Sequence, residues 1–187
     1  MEDTKHSDYK NAFKLREEPE LWKIIGSSKE IKGVLESIQT VLDSDVPVVI
    51  EGETGTGKEI LARTIHELSG KDGRFVPVDC ASIPKDLVEA ELFGYAKGSF
   101  TGATNDRYGK VEYAQGGTLF LDEIGEISST MQLRLLRVLE ERVFERVGDS
   151  NTIKANIRVI AATNQDLRKK VSEGKFREDL YHRLKVV

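Results

Sequence analysis

A glycine-rich heptapeptide at residues 52–58, Gly-Glu-Thr-Gly-Thr-Gly-Lys, leaves this chain few ways to fold locally. It has the spacing G-x4-G-K, follows a short apolar run at residues 46–50 and precedes a helical pattern at residues 59–69. Its glycines let backbone N–H groups wrap phosphate oxygens, and Lys58 can reach the outer phosphates beside the positive end of the helix. Strand, tight turn and helix in this order predict the start of a parallel sheet with a phosphate site, and a merely flexible loop is the alternative.

The rest of the chain repeats the alternation of strand and helix. The apolar patterns predict strands at residues 75–79, 118–121 and 157–161, and helices at residues 28–42, 84–93, 128–142, 166–173 and 176–184. This order predicts an α/β domain whose parallel strands are buried on both faces, with ligands at the carboxyl ends of the strands. Two segments do not alternate, since residues 94–109 are rich in Gly and Thr and residues 143–156 have the pattern of a hairpin.

Composition narrows the class of protein. The 187 residues fit one domain of about 150 residues with a short extension, and polar residues 1–20 are interpreted as a linker or lead-in. A hydrophobic fraction of 39% beside 32% charged residues is too apolar for a disordered chain and too charged for a membrane protein, which predicts a soluble, cytoplasmic protein. The single cysteine, Cys80, excludes an internal disulfide and a cysteine-cluster zinc site. A formal net charge of -4 argues against binding nucleic acid by bulk electrostatics.

Acidic and amide side chains follow the other predicted strands. Asp122 and Glu123 come directly after one strand, and Asn164 follows another. Asp122 is placed to hold Mg2+, directly or through water, and Glu123 to orient and deprotonate an attacking water. Asn164 can bond to a γ-phosphate or to that water, and Asp79, at the end of a third strand, can engage Glu123. The alternatives are a solvated turn at Asp122 and an Asx turn at Asn164.

Taken together, these residues resemble the AAA+ ATPase domain of bacterial enhancer-binding proteins, which remodel RNA polymerase holding the alternative sigma factor sigma-54. The resemblance runs over residues 22–187, and residues 52–59 and 116–124 are similar to the two nucleotide motifs of the family. Its most specific part is residues 91–103, Glu-Leu-Phe-Gly-Tyr-Ala-Lys-Gly-Ser-Phe-Thr-Gly-Ala, which resemble the GAFTGA loop. In that family Glu after the phosphate-loop lysine is usual, so Glu59 fits the pattern although Ser or Thr is commoner elsewhere.

The resemblance implies the ligands and the residues that contact them. ATP and Mg2+ are the implied cofactors, with the metal at Asp122 and Glu123 and the adenine near Ile25. The implied nucleotide contacts are Gly52, Glu53, Thr54, Gly55, Thr56, Gly57, Lys58, Glu59, Ala114, Gln115, Gly116, Gly117, Thr118, Leu119, Phe120, Leu121, Asp122 and Glu123. The implied sigma-54 contacts are Gly98, Ser99, Phe100, Thr101, Gly102 and Ala103.

The resemblance also implies how the site is completed. Arg177 and Arg183 match two family arginines that act on the γ-phosphate of a neighbouring subunit, where guanidinium groups stabilise transferring phosphoryl charge. An arginine that acts in trans requires a head-to-tail interface, and such interfaces close into rings, which in the family are usually hexamers. Asp79 stands where the family usually has the Asn that pairs with the catalytic Glu, here Glu123. Phe100, between glycines in a hydrophilic loop, is expected at an exposed tip, and packing in the domain's own core is the alternative.

The leading interpretation is an ATPase that moves the Phe100 loop to remodel sigma-54 polymerase and open promoters. A nucleotide-gated binding module with little hydrolysis and an AAA+ remodeller of another target are the alternatives. The family module continues into a helical lid and usually a helix-turn-helix DNA reader, and neither pattern is present in this sequence. Residues 21–187 are therefore interpreted as a truncated α/β subdomain that contacts DNA only through an absent domain, with residues 184–187 starting the last core strand.

Several single residues carry weaker expectations. His66 is expected to be a solvated helix residue, His182 a structural one and Cys80 a small core residue. Arg134 and Arg137 are expected to make surface ion pairs rather than to bind nucleic acid.

Overall fold

The structure of the protein is a computed structural model that describes residues 29–185. The predicted lead-in, Ile25 and the end of the chain at Val187 lie outside the described residues. In chain order the elements are α1 (Lys29–Val41), β1 (Val48–Glu51), α2 (Lys58–Leu68), β2 (Phe75–Asp79), α3 (Lys85–Phe93), β3 (Gly94–Tyr95), β4 (Arg107–Tyr108), α4 (Lys110–Tyr113), β5 (Thr118–Asp122), a 3-10 turn (Ile124–Glu126), α5 (Ser129–Glu141), β6 (Val143–Phe144), β7 (Ile153–Lys154), β8 (Arg158–Thr163), α6 (Leu167–Ser172) and α7 (Glu178–Leu184).

Four strands form a parallel sheet in the order β1-β8-β5-β2, so the predicted α/β fold is confirmed. The register places Glu51 beside Thr163 and Asp79 beside Asp122, which brings the carboxyl ends of all four strands to one edge. Strand β8 extends two residues beyond its predicted end because it pairs with β1 on one side and β5 on the other. The predicted site residues follow these strand ends, as expected for an open parallel sheet.

Alternating residues of the two central strands are buried on opposite faces of the sheet. Phe120 and Ile160 pack with residues of α1 and α2, and Leu121 and Ala161 pack with residues of α3, α5 and α7. Both faces are therefore covered by helices, which explains why these strands read as continuous apolar runs. Burial of each large side chain contributes about 1.5–3 kcal/mol, so the sheet is a rigid support for the loops at its edge.

The two segments that break the alternation form short antiparallel pairs. Strand β3 pairs with β4, and β6 pairs with β7, which confirms the predicted hairpin. Val147 joins the two segments, because its N–H donates to the carbonyl of Gly94 at 2.9 Å and its own carbonyl accepts from Ala96 at 3.0 Å. Gly109 permits the close approach at the base of the loop, since a Cβ there would lie 2.3 Å from the Leu92 carbonyl oxygen.

Two predictions for single residues are wrong, and one stays a prediction. Leu184 ends helix α7, which confirms the helix predicted at residues 176–184 and contradicts a strand that starts at Leu184, while residues 186 and 187 lie outside the described residues. His182, which is expected to be structural, is 70% exposed, lies 3.8 Å from Glu178 and meets the Tyr181 ring edge-on at 5.4 Å between ring centres, and its role stays a prediction. His66 is half-buried instead of solvated, and its Nδ1 lies 2.9 Å from Thr118 Oγ1.

The other weak expectations are confirmed. Arg134 pairs with Glu89 at 2.6 Å, Arg137 pairs with Glu145 at 2.8 Å, and Cys80 is buried. Within residues 29–185 the structure has no helix of the length and apolarity that a bilayer span needs.

His66 makes the stability of the fold dependent on pH. Its pKa is lowered, first because burial disfavours the imidazolium and then because Lys71, Arg158 and Arg63 add positive charge. The imidazole of His66 therefore binds a proton more readily in the unfolded chain than in the folded one. Its contribution to the free energy of unfolding is fully present above the unfolded pKa of about 6.5 and is lost as the pH falls through the lowered pKa of the folded state. We expect the urea midpoint to fall between about pH 7.5 and pH 5.5, and to fall less in His66→Asn. Equal losses in both proteins would show that His66 is not responsible.

Candidate active site

The glycine-rich segment is a tight loop between β1 and α2. Gly55 and Gly57 have φ angles of 83° and 86°, a left-handed conformation that side chains with a Cβ disfavour. The Gly52 N–H donates to the Thr163 carbonyl at 3.1 Å, which fixes the loop to the end of β8. Helix α2 has no side-chain cap, so the N–H groups of its first turn are available to an anion.

Lys58 places a positive charge inside this loop. Its side chain is 7% exposed, and Nζ donates to the carbonyls of Gly52 at 2.9 Å and Glu53 at 3.1 Å. The same Nζ lies 3.9 Å from a carboxylate oxygen of Glu123. An anion that entered the loop would compete for an ammonium that is already desolvated, and charge-assisted hydrogen bonds are the stronger kind.

The end of β5 turns sharply to bring Glu123 back across the sheet edge. Glu123 is not a glycine, yet it has φ 51° and ψ 49°, a left-handed conformation that costs about 1–3 kcal/mol. Asp122 Oδ1 accepts the Glu123 N–H at 3.0 Å, and Glu123 Oε2 accepts the Asn164 N–H at 3.2 Å. The carboxylate is therefore held between the loop lysine and the end of β8.

Asn164 joins the glycine-rich loop to Glu123 at the end of β5. Its side-chain Nδ2 donates to Thr54 Oγ1 at 3.1 Å while its backbone binds Glu123. The cap of α6 is supplied by Asp166, which accepts the Lys169 N–H at 3.0 Å. The Asn164 side chain thus points toward the loop and leaves the helix start to its neighbour.

Asp79 and Glu59 make other contacts. Asp79 Oδ1 accepts the N–H groups of Ala81 at 2.9 Å and Ser82 at 3.3 Å, and the structure gives Asp79 no bond to Glu123 among the contacts of the described residues. Glu59 pairs with Arg63 at 2.9 Å on the outer face of α2.

The pKa of the buried Cys80 thiol is affected by the carboxylates that lie close together at the carboxyl edge of the sheet. Burial, and after it the negative charges of Asp79, Asp122 and Glu123 in that order, together raise the pKa of Cys80 to about 12. The thiol therefore stays protonated, and a divalent cation at the two strand-end carboxylates would relieve the concentration of like charge.

The donor set suits a magnesium ion that is shared with a substrate. Asp122 and Glu123 supply carboxylate oxygens, and no group of three or more His, Cys, Asp or Glu that could hold a metal occurs among residues 29–185. Mg2+ is usually bound by one or two carboxylates, waters and substrate phosphates, and not by an all-protein cage. These residues fit that mode of binding.

A pocket of about 590 Å³ opens beside the loop, at the carboxyl ends of β1 and β8. Its lining is Glu51, Gly52, Glu53, Thr163, Asn164, Gln165, Asp166, Arg168 and Lys185. Arg168 and Lys185 were not predicted, because the sequence shows them as ordinary charges on amphipathic helices. Arg168 Nε donates to the Tyr181 hydroxyl at 2.8 Å, which orients it.

Comparison with known proteins identifies the family. Residues 24–187 match the model of the sigma-54 interaction domain. The chain belongs to the sigma-54 interaction domain family. It is 53% identical over 165 residues to a Nif-specific regulatory protein of Azorhizobium caulinodans, a match that covers 88% of this chain and 27% of that protein.

Other relatives of the domain agree. It is 50% identical over 170 residues to the anaerobic nitric oxide reductase transcription regulator NorR of Klebsiella pneumoniae (strain 342), over 90% of this chain and 33% of NorR. The structure of NtrX from Brucella abortus in complex with ATP superposes with a TM-score of 0.81 at 35% identity, covering 98% of this chain and 38% of NtrX. The chain thus spans between 27% and 38% of these proteins. The predicted membership among sigma-54 activator AAA+ domains, with a P-loop NTPase fold, is confirmed.

The loop at residues 98–103 of this sigma-54 interaction domain presents Phe100 to solvent. Phe100 is 45% exposed, and its ring meets Tyr95 edge-on at 4.9 Å between ring centres. The Gly98 N–H donates to the Ala103 carbonyl at 2.8 Å, which closes the turn that carries Phe100 and Thr101. The aromatic ring lies outside both core clusters, as expected for a contact surface.

The remaining predicted residues lie away from the loop or within the core. Of the run from residue 114 to residue 123, only Asp122 and Glu123 reach the strand-end site. Gln115 bonds Lys154 and Asn156 at the amino end of the sheet, and the β5 side chains before Asp122 are buried. Arg177 pairs with Asp179 at 2.6 Å, and Arg183 Nη2 donates to the Leu139 carbonyl at 3.1 Å.

The position of Lys58 predicts that inorganic pyrophosphate stabilises the folded domain. A ligand that binds only the folded state raises the free energy of unfolding by about 2.7 kcal/mol when its concentration is about a hundred times its Kd. We expect a thermal midpoint several degrees higher with pyrophosphate, and no shift for Lys58→Ala. Lys71→Ala is the matched control. Lys71 pairs at 2.6 Å with Asp45, which precedes β1, so its removal should leave the thermal shift with pyrophosphate unchanged. An equal shift in wild type and Lys58→Ala would contradict the assignment.

Proposed function

We propose that this domain binds Mg-ATP at the loop of residues 52–59 and hydrolyses it, to drive a transcriptional activator that remodels sigma-54 RNA polymerase. The convergence of Lys58, Glu123 and Asn164 carries the proposal, with separations of 3.9 Å and 3.2 Å about the Glu123 carboxylate. The ATP complex of the similar protein NtrX supports nucleotide binding at the same fold.

The phosphates of ATP would lie in the loop with their charge facing the start of α2. Lys58 would exchange its bonds to the Gly52 and Glu53 carbonyls for bonds to the outer phosphates, which carry full negative charge. Thr54 and Asn164, joined at 3.1 Å, lie at the side of the loop and would meet the γ-phosphate. The pocket beside Glu51 and Gly52 gives the rest of the nucleotide room.

Glu123 would act as the general base. Withdrawal of the Lys58 ammonium toward phosphate leaves one carboxylate oxygen of Glu123 free to accept a proton from water. The Asn164 N–H keeps the other oxygen in place, so the base stays oriented during the reaction. Mg2+, held by Asp122 with Glu123 nearby, would neutralise the charge that develops on the phosphate oxygens.

Arg177 and Arg183 would complete the site of an adjacent subunit. Both guanidinium groups lie on the α7 side of this domain, and the pKa of Arg177 is raised by hydrogen bonds to Asp179, so it stays charged. A head-to-tail arrangement would carry them to the neighbour's γ-phosphate and would close into a ring, which the family resemblance suggests is a hexamer. Residues 21–187 form the ATPase unit in this proposal. DNA binding and signal input are assigned to other parts of a longer cytoplasmic protein.

The loop at residues 98–103 would transmit hydrolysis to sigma-54. Its exposed Phe100 and adjacent Thr101 offer an apolar ring and a hydroxyl on a closed turn. The segment just before this loop, at Gly94 and Ala96, is hydrogen-bonded to Val147 of the hairpin that follows α5, and α5 itself follows the turn after Glu123. A change at the γ-phosphate would therefore have a continuous route to the contact surface, along α5 and through the hydrogen bonds of Val147.

Capture of purified sigma-54 tests the partner assignment. With ADP and aluminium fluoride, which imitate the transferring phosphate, we expect the domain to retain sigma-54. Phe100→Ala should lower the retained amount about tenfold or more, because a central aromatic contact often contributes over 2 kcal/mol. Tyr113→Ala is the matched control, since Tyr113 is a 50% exposed aromatic residue on α4. Equal capture by Phe100→Ala and wild type, or no capture by wild type, would contradict the assignment.

A further inference from the structure

Helix α5 carries a fully buried amide, Gln132, that uses each of its hydrogen-bonding groups. The residue is 1% exposed and lies beside core residues such as Met131 and Leu135. Its Nε2 donates to the carbonyls of Ile127 and Lys175, both at 3.1 Å. Its Oε1 accepts the backbone N–H of Arg177 at 2.8 Å.

These bonds join two segments that are distant in sequence. Ile127 closes the turn that starts at Glu123, where the Glu126 N–H donates to the Glu123 carbonyl at 2.9 Å. Lys175 and Arg177 flank the buried Phe176 in the connection between α6 and α7. The amide therefore fixes the backbone of Arg177 directly to the turn behind the proposed base.

The same helix also holds the second arginine. Arg183 Nη2 donates to the Leu139 carbonyl near the carboxyl end of α5. One rigid helix thus sets the position of both arginines relative to Glu123, through a buried amide at one end and a carbonyl at the other. Burying an amide is costly unless its groups are paired, and an apolar residue of similar size would fill the space without bonding Arg177.

We propose that Gln132 is a positioning residue, which holds the Arg177 segment in the orientation that serves the neighbouring subunit. The inference rests on the proposed trans role of Arg177 and Arg183. Loss of the amide would leave the phosphate loop of the same chain intact, but it would displace Arg177 from the position in which it serves the adjacent subunit. A displacement of about 1 Å in a catalytic group can lower a rate about a hundredfold.

Two substitutions remove the amide in different ways. Gln132→Met keeps the length of the side chain and removes all three bonds, and Gln132→Glu keeps an acceptor but turns a carboxylate toward the carbonyls of Ile127 and Lys175. For either variant we expect ATP turnover to fall about tenfold to a hundredfold. Binding of a fluorescent ATP analogue should stay within about threefold of wild type, because Lys58 and its loop are unchanged.

Mixing with two defective partners separates positioning from general damage. Lys58→Ala chains lack the phosphate site but keep their arginines, and Arg183→Ala chains keep the site but lack an arginine. In a 1:1 mixture, random assembly puts an intact site beside an intact arginine at about a quarter of interfaces if the partner supplies the arginine. We expect Gln132→Met to regain activity when mixed with Lys58→Ala, and to regain none when mixed with Arg183→Ala.

Two controls make the result interpretable. The mixture of Lys58→Ala with Arg183→Ala must itself regain activity, and if it does not, the proposed trans site fails before Gln132 is tested. Arg142→Met is the matched structural variant, because Arg142 follows α5 and donates to the carbonyls of Ile157 and Asp45. When Arg142→Met is mixed with Lys58→Ala or with Arg183→Ala, its activity should not depend on which of the two partners is present.

Each outcome decides the inference. Partner-dependent recovery, present with Lys58→Ala and absent with Arg183→Ala, supports a positioning role for Gln132. Equal recovery with both partners would overturn it, and so would wild-type turnover by Gln132→Met and Gln132→Glu alone. Failure to recover with either partner, while the Lys58→Ala and Arg183→Ala mixture succeeds, would show that the amide only supports the fold.

Discussion

The Lys58 ammonium is the charge around which the active site is arranged. It lies inside the phosphate loop, bound to the carbonyls of Gly52 and Glu53, and it faces the Glu123 carboxylate across 3.9 Å. A buried ammonium must be paired, and here its partners are two weak acceptors of the loop and one carboxylate. A phosphate would be a stronger partner than either carbonyl. The loop is therefore ready to bind an anion, and binding would change what surrounds the base.

Helix α5 connects this charge to the surfaces where the domain meets other molecules. It begins after the turn at Glu123, with Ser128 Oγ accepting the Met131 N–H at 3.2 Å, and it ends before the hairpin that contacts the Phe100 loop. Its interior amide and carbonyl hold the segment that carries the two arginines. Because one face of the helix is packed in the core, a movement at its start would be passed on to the segments that it contacts.

The sequence predicts the parts of the site that follow from local patterns. Residues 52–58 require glycine at positive φ and a lysine at a fixed spacing, and parallel strands bring Glu123 and Asn164 to the same edge. Long-range partners of polar residues were not predictable in this way. Gln132 has the pattern of a polar position on an amphipathic helix, and only the approach of residues 175–177 gives its amide a reason to be buried.

The wrong prediction for His66 has the same physical origin. The sequence pattern predicts His66 on the exposed face of its helix. In the fold, Thr118, more than fifty positions away in sequence, contacts the imidazole and half-buries it. Nucleotide contact by the run before Asp122 rests on family resemblance and stays a prediction, since strand geometry buries the β5 side chains before Asp122 and places only the last residues at the strand-end site. Periodicity identifies a buried face, but tertiary packing decides which polar side chains join it.

Phosphate release by Glu123→Gln at saturating Mg-ATP tests the central claim most directly. The amide preserves shape and can still accept the Asn164 N–H, but it cannot take a proton from water. The account predicts that this variant binds Mg-ATP within about threefold of wild type and releases phosphate about a hundredfold or more slowly. Release at the wild-type rate would contradict the role of Glu123. A wild-type domain that binds Mg-ATP and releases no phosphate would contradict hydrolysis itself and indicate a nucleotide-gated binding module.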